Sequence, residues 1–125
     1  MKGEVIDYIY IFLTVLLTVY GQLIFKWQIT LIGALPSSLS DKITFFLRLF
    51  LNPWIISSFL AAVVASLTWA AALTKFELSY AYPFTSLAFV LVFILSAIFF
   101  HETMSAPKII GIVLIVIGVI VVSRG

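Results

Sequence analysis

Long apolar runs alternate with short polar breaks along this chain. Four of the runs approach or exceed the roughly 20 residues that a helix needs to cross a hydrocarbon core of about 30 Å. They cover about residues 8–32, 54–73, 79–100 and 107–122. The first ends at Gly33-Ala34-Leu35-Pro36, a helix-stop signal. It reads as a retained span and not a cleaved leader, because its apolar stretch is too long and no small-x-small site precedes a polar mature sequence. Lys2, Glu4 and Asp7 stand in front of it. Asn52-Pro53 opens the second run, with Asn52 able to cap and Pro53 suited to the first turn. The short connections 74–78 and 101–106 make neighbouring helices antiparallel, as in a compact bundle. Between the first two spans, residues 40–51 place Ile43, Phe46, Leu47, Phe50 and Leu51 on one helical face, with Asp41, Thr44 and Arg48 opposite. This stretch is too short to span. Periodicity alone leaves open whether it lies in the membrane interface or packs as a plain helix of the bundle. The fold expected is an all-α integral membrane protein, a single four-helix transmembrane domain over residues 1–125 with a short amphipathic interfacial helix between the first two spans.

Composition sharpens this reading. The chain of 125 residues is 64% hydrophobic and 10% charged, with a mean hydropathy of +1.28. Soluble domains carry about 45–50% apolar and about 25% charged residues, so this chain lacks the polar surface to wrap a core in water. It has no cysteine and a single histidine, His101, which excludes a disulfide framework and a His/Cys metal cluster. Its seven basic residues are scattered and form no basic block, so nucleic acid is set aside as a partner. Tyr8, Tyr10, Trp69, Tyr80 and Tyr82 fall toward one face of the bilayer, and Trp27 and Trp54 toward the other, as interfacial belts do. Lys2, Lys75 and Arg124 lie on the side of the termini and Lys42, Arg48 and Lys108 on the other. That balance gives no strong orientation and leaves insertion both ways open.

The polar residues inside the spans carry the candidate chemistry. Thr14, Thr18, Gln22 and Lys26 recur every fourth residue beside Gly21, giving the first helix one polar face in an oily cylinder. Polar groups in hydrocarbon face a bundle interior or a watered cavity, so this face is a candidate substrate path. Lys26 would attract an anionic headgroup, or else snorkel beside Trp27 to the interface. Two rows of small residues on the second helix, Ser57-Ala61-Ala65 and Ser58-Ala62-Ser66-Ala70, suit close packing. Pro83, among Tyr80, Tyr82, Thr85 and Ser86, can loosen the ladder and bend the third helix. Glu102 reads as an interfacial anchor or cap, with proton coupling as the alternative. Gly111 and Gly118, seven apart, suit contact with a neighbour, a second copy included. The sequence offers no acid pair, nucleophile triad, metal-ligand cluster or phosphate-cradling loop, so it reads as a non-enzyme without metal or cofactor.

Three segments in order, Gly21-Gln22-Leu23-Ile24-Phe25-Lys26, Leu78-Ser79-Tyr80-Ala81-Tyr82-Pro83, and Glu102 followed by Gly111, Leu114, Ile115, Gly118 and Val119, resemble the drug/metabolite transporter superfamily over nearly the whole chain. The likeness is greatest to its small four-span branch, which includes small multidrug resistance transporters and aminoarabinose-phosphoundecaprenol flippase subunits. The former carry a glutamate in the first helix, three residues before the glycine matching Gly21. Here that position is Thr18. The resemblance therefore does not extend to proton-coupled export of cations. It implies a flippase of a polyprenyl-phosphate-linked sugar in a bacterial inner membrane. Its partners would be membrane lipid and a lipid-linked anionic substrate. Lys26 would attract the phosphate, Thr14, Thr18 and Gln22 would hydrogen-bond the headgroup, and Tyr80 and Tyr82 would contact the sugar. Gly111 and Gly118 match the place where small multidrug resistance proteins pair, which implies a homodimer, antiparallel if the chain inserts both ways, or a heterodimer with a homologue. The alternatives are a small-solute or drug exporter of the same fold and an accessory membrane subunit.

Overall fold

The computed structural model describes residues 5–125, so Lys2 and Glu4 lie outside the described residues. A 3-10 turn, Val5–Asp7, leads into α1, Tyr8–Ile32. Gly33 ends α1 at φ 106°, a left-handed value open to glycine, and its N–H donates to the Ile29 carbonyl. Helix α2, Leu39–Leu51, starts where the Ser38 hydroxyl accepts from the Asp41 N–H at 3.3 Å. Helix α3, Pro53–Leu73, follows at once. Asn52 closes α2 and caps α3, its Oδ1 accepting from the N–H groups of Trp54 at 2.9 Å and Ile55 at 3.4 Å.

The third apolar run is two helices, α4 (Leu78–Thr85) and α5 (Leu87–Phe99), where the hydropathy pattern predicts one. Pro83 brings no N–H to the ladder and its ring crowds the preceding turn. The break falls at Ser86, where bonding tightens to three-residue spacing: Ser86 N–H to the Pro83 carbonyl at 3.1 Å and Phe89 N–H to the Ser86 carbonyl at 3.0 Å. The hydroxyls of Thr85 and Ser86 bond back to the carbonyls of Tyr82 and Pro83. His101, at φ 54°, turns the chain toward α6, Ala106–Ser123. Residues 5–32, 53–73, 78–99 and 106–123 are each long and apolar enough to cross a membrane.

Helices α1 and α3 form the closest seam. Thr14, Val15, Val19 and Gln28 of α1 and Ile55, Ser58, Ala61 and Ala65 of α3 are buried. A side chain begun on Gly21 would meet the Ser58 carbonyl at 3.5 Å. Small residues draw the two backbones together, the device that replaces hydrophobic collapse where the solvent is lipid. Hydroxyl and amide pairs cross the seam at three levels: Thr14 with Thr68 at 2.7 Å, Tyr20 with Ser57 at 2.9 Å, and Asn52 Nδ2 donating to Gln28 Oε1 at 2.9 Å.

At the end carrying both termini, Ile11, Ala72, Phe76, Tyr80 and Ala81 form a buried cluster, with Tyr8, Trp69, Phe84 and Val122 packed on it. At the other end Trp27 and Trp54 meet edge to face at 5.2 Å. Helix α2 touches the bundle chiefly through buried Leu49 and through Phe50, whose ring lies 5.6 Å from Phe59. Leu39, Ile43, Phe46 and Leu47 are exposed on one side, and Asp41, Thr44 and Arg48 on another. A protein side, an apolar side and a polar side are what a helix lying in the membrane interface needs.

Candidate functional site

The polar row of α1 opens onto a cavity of about 480 Å³. Thr14, Thr18, Gly21, Gln22 and Phe25 form its α1 wall. The facing wall is α3, where Ser58, Ala62, Ser66 and Trp69 share one face at helical spacing, joined by Phe59 and Ala65. Tyr82 and Thr85 of α4 complete the lining. No charged side chain and no residue of α5 or α6 lines it among the described residues. Helix α5 stands elsewhere around α1, its last residue Phe99 and the following Phe100 bordering an apolar groove with Tyr20, Leu23, Ile24 and Trp27. The cavity therefore has walls from three helices and none from a fourth.

Hydrogen-bond direction gives this lining a character that residue names alone do not. Thr18 donates to the Thr14 carbonyl at 2.7 Å, Ser66 to the Ala62 carbonyl at 3.0 Å, and Thr85 to the Tyr82 carbonyl at 2.6 Å. A hydroxyl whose proton is committed to its own helix shows a ligand its lone pairs. Donors to a ligand come instead from the Gln22 amide, the Trp69 indole N–H and the exposed Tyr82 hydroxyl. Thr14 is buried, bonded to both the Tyr10 carbonyl and Thr68, and serves the wall more than the interior.

The residues singled out from sequence thus separate. Thr14, Thr18, Gln22 and Tyr82 line the cavity. Lys26 is exposed one turn beyond Gln22, outside the lining and past Phe25. Tyr80 stands apart: it is buried in the end cluster, its hydroxyl 2.7 Å from that of Tyr8. Positions two apart in a helix differ by about 200° in direction, so Tyr80 and Tyr82 cannot both face one cavity. Glu102 is exposed in the loop after α5. Gly111 and Gly118 have nothing within 4 Å of where a side chain would begin. Sequence reasoning missed Trp69, Ser66, Phe25 and Phe59 as lining, although the run Ser58-Ala62-Ser66-Trp69 on one face of α3 holds the signal.

Residues 10–124 match the family described as the EamA-like transporter family. The chain is 33% identical over 117 residues to the probable 4-amino-4-deoxy-L-arabinose-phosphoundecaprenol flippase subunit ArnE of Aeromonas salmonicida (strain A449), covering 94% of this chain and 96% of that one. It is 32% identical over 136 aligned positions to the corresponding probable subunit ArnF of Photorhabdus laumondii subsp. laumondii, covering 99% and 98%. No solved structure gives a significant match.

Proposed function

This chain belongs to the EamA-like transporter family, and from that premise we propose that it is a subunit of a flippase for a polyprenyl-phosphate-linked sugar in a bacterial inner membrane. The observation that carries the reading is an uncharged cavity whose largely apolar walls carry hydroxyl and amide groups, with a lysine one turn outside it. Hydrogen-bonding groups of this kind replace the water around a sugar headgroup during its passage, while a lone cation at the mouth favours an anionic one. The lipid tail remains in the bilayer at the open side of the cavity. Relatives named as flippase subunits at similar length support the same substrate class.

In this mechanism Lys26 captures the phosphate at the interface. Gln22 donates to the headgroup, Thr18 accepts from it, and Tyr82 contacts the sugar. The missing fourth wall favours a path built by two subunits, an identical copy or a homologue, rocking about their contact in alternating access. Gly111 and Gly118 on the outer helix suit that contact.

Reconstitution into liposomes tests this reading. Transfer of undecaprenyl phosphate carrying one sugar from the outer to the inner leaflet is followed by its protection from an added glycan-oxidising reagent. Transfer is expected with the paired subunits, and Lys26→Ala slows it about tenfold, as loss of one charge-assisted hydrogen bond does. Accumulation of a water-soluble solute with no lipid transfer would replace the flippase by an exporter.

A further inference from the structure

We propose that Trp69 is the platform on which the sugar rests, and the residue that distinguishes a glycosylated polyprenyl phosphate from the bare lipid phosphate. This rests on the flippase reading above and assigns a role to a residue that the sequence pattern placed in an interfacial aromatic belt.

Three observations converge. The first is preorganisation. Trp69 lines the cavity and is also packed on the buried end cluster, and the Tyr82 ring meets it at 6.2 Å and 61°. An indole held from two sides loses little freedom when a ligand arrives, and its π-face attracts the weakly positive C–H faces of a sugar ring. The second is the direction of the nearby hydrogen bonds. Ser66, Thr85 and Thr18 have their protons bound to helix carbonyls, so these three hydroxyls offer lone pairs beside the Trp69 and Tyr82 donors. Sugar hydroxyls can donate to such sites, whereas ionised phosphate oxygens cannot.

The third is distance. Trp69 adjoins Thr68, which bonds to Thr14 and so fixes the level of the platform on α1. Lys26 stands more than three helical turns from Thr14, about 18 Å along the axis. A monosaccharide phosphate is shorter than that span. Lys26 and Trp69 therefore serve successive stations: phosphate capture outside, then sugar seating inside with the phosphate moved up toward the Gln22 amide.

The three tryptophans of the chain make a direct test possible. Trp27→Phe with Trp54→Phe leaves Trp69 as the sole indole reporter in phosphatidylethanolamine–phosphatidylglycerol vesicles. The probes are undecaprenyl phosphate and the same lipid carrying 4-amino-4-deoxy-L-arabinose. The glycosylated lipid is expected to change Trp69 emission and the bare lipid to leave it unchanged. In the otherwise unaltered chain, Trp69→Ala weakens retention of the glycolipid about tenfold, the scale of one lost aromatic contact, and leaves retention of the bare lipid intact. Trp69→Phe recovers most of the loss. Bare-lipid retention by the alanine variant doubles as its folding control. An equal emission response to both lipids, or an equal loss of both in Trp69→Ala, overturns the platform while leaving the flippase reading standing. Failure of the unaltered chain to retain either lipid, read by native mass spectrometry, overturns both.

Discussion

The α1–α3 seam and the α5–α6 pair both come from spans apolar enough to cross a membrane, yet they are built on opposite rules. The seam is stitched by Thr14–Thr68, Tyr20–Ser57 and Gln28–Asn52 and closed by Gly21 against Ser58. By contrast, α5 buries only Ser96 and α6 only Val119 among the described residues. Hydropathy ranks α5 and α6 as the more apolar, but it does not say which helices pack, because lipid supplies no hydrophobic drive to bring helices together. Small and polar side chains do distinguish them. The seam is a finished interface that holds a cavity wall in place, while α5 and α6 offer apolar faces to whatever lies outside the chain, lipid or a second subunit.

The comparison can be broken by substitution. The largest effect belongs to Gly21→Leu, since only the first carbon of a side chain fits against the Ser58 carbonyl at 3.5 Å. The extra bulk should cost about 2–3 kcal/mol in reversible denaturation from detergent micelles, with Gly21→Ala close to neutral. Next comes Asn52→Ala, which removes the α3 cap and leaves Gln28, 5% exposed, without its partner. A loss of about 2 kcal/mol is expected, and Gln28→Leu made on top of it should recover part by removing the orphaned amide. The smallest effect on the single chain is that of Gly118→Leu, whose side chain would enter open space. It should leave chain stability within about 1 kcal/mol, the helix-propensity gain included. Its effect should appear instead in subunit pairing measured by crosslinking or native mass spectrometry. A Gly118→Leu chain as destabilised as Gly21→Leu would erase the contrast between the two regions.

Much of this was legible before any coordinates. Length and hydropathy were enough for the spans, Asn52-Pro53 for the start of α3, and the four-residue recurrence of Thr14, Thr18 and Gln22 for one cavity wall. The three-segment resemblance to drug/metabolite transporters agrees with the family match. What stayed hidden depends on angles between helices. Ser58, Ala62 and Ser66 read as packing because small residues serve both a tight seam and an open wall, and only the placement of α4 opposite Trp69 separates the two uses. Gln28 lies off the Thr14–Lys26 row, and its value comes from Asn52, which is distant in sequence. The bend announced by Pro83 surfaces at Ser86, since the hydroxyls of Thr85 and Ser86 decide which carbonyls give up the ladder.

The break at Ser86 also bears on how the cavity meets membranes of different thickness. Tyr82 and Thr85 ride on α4, which is anchored by Tyr80 and Ala81 in the end cluster, whereas α5 beyond the break has Ser96 as its one buried residue among those described. A helix longer or shorter than the local hydrocarbon layer adjusts by tilting, at a fraction of a kcal/mol per Å. A tilt taken up at this joint would turn α5 and leave in place the rings and hydroxyls that α4 contributes to the site.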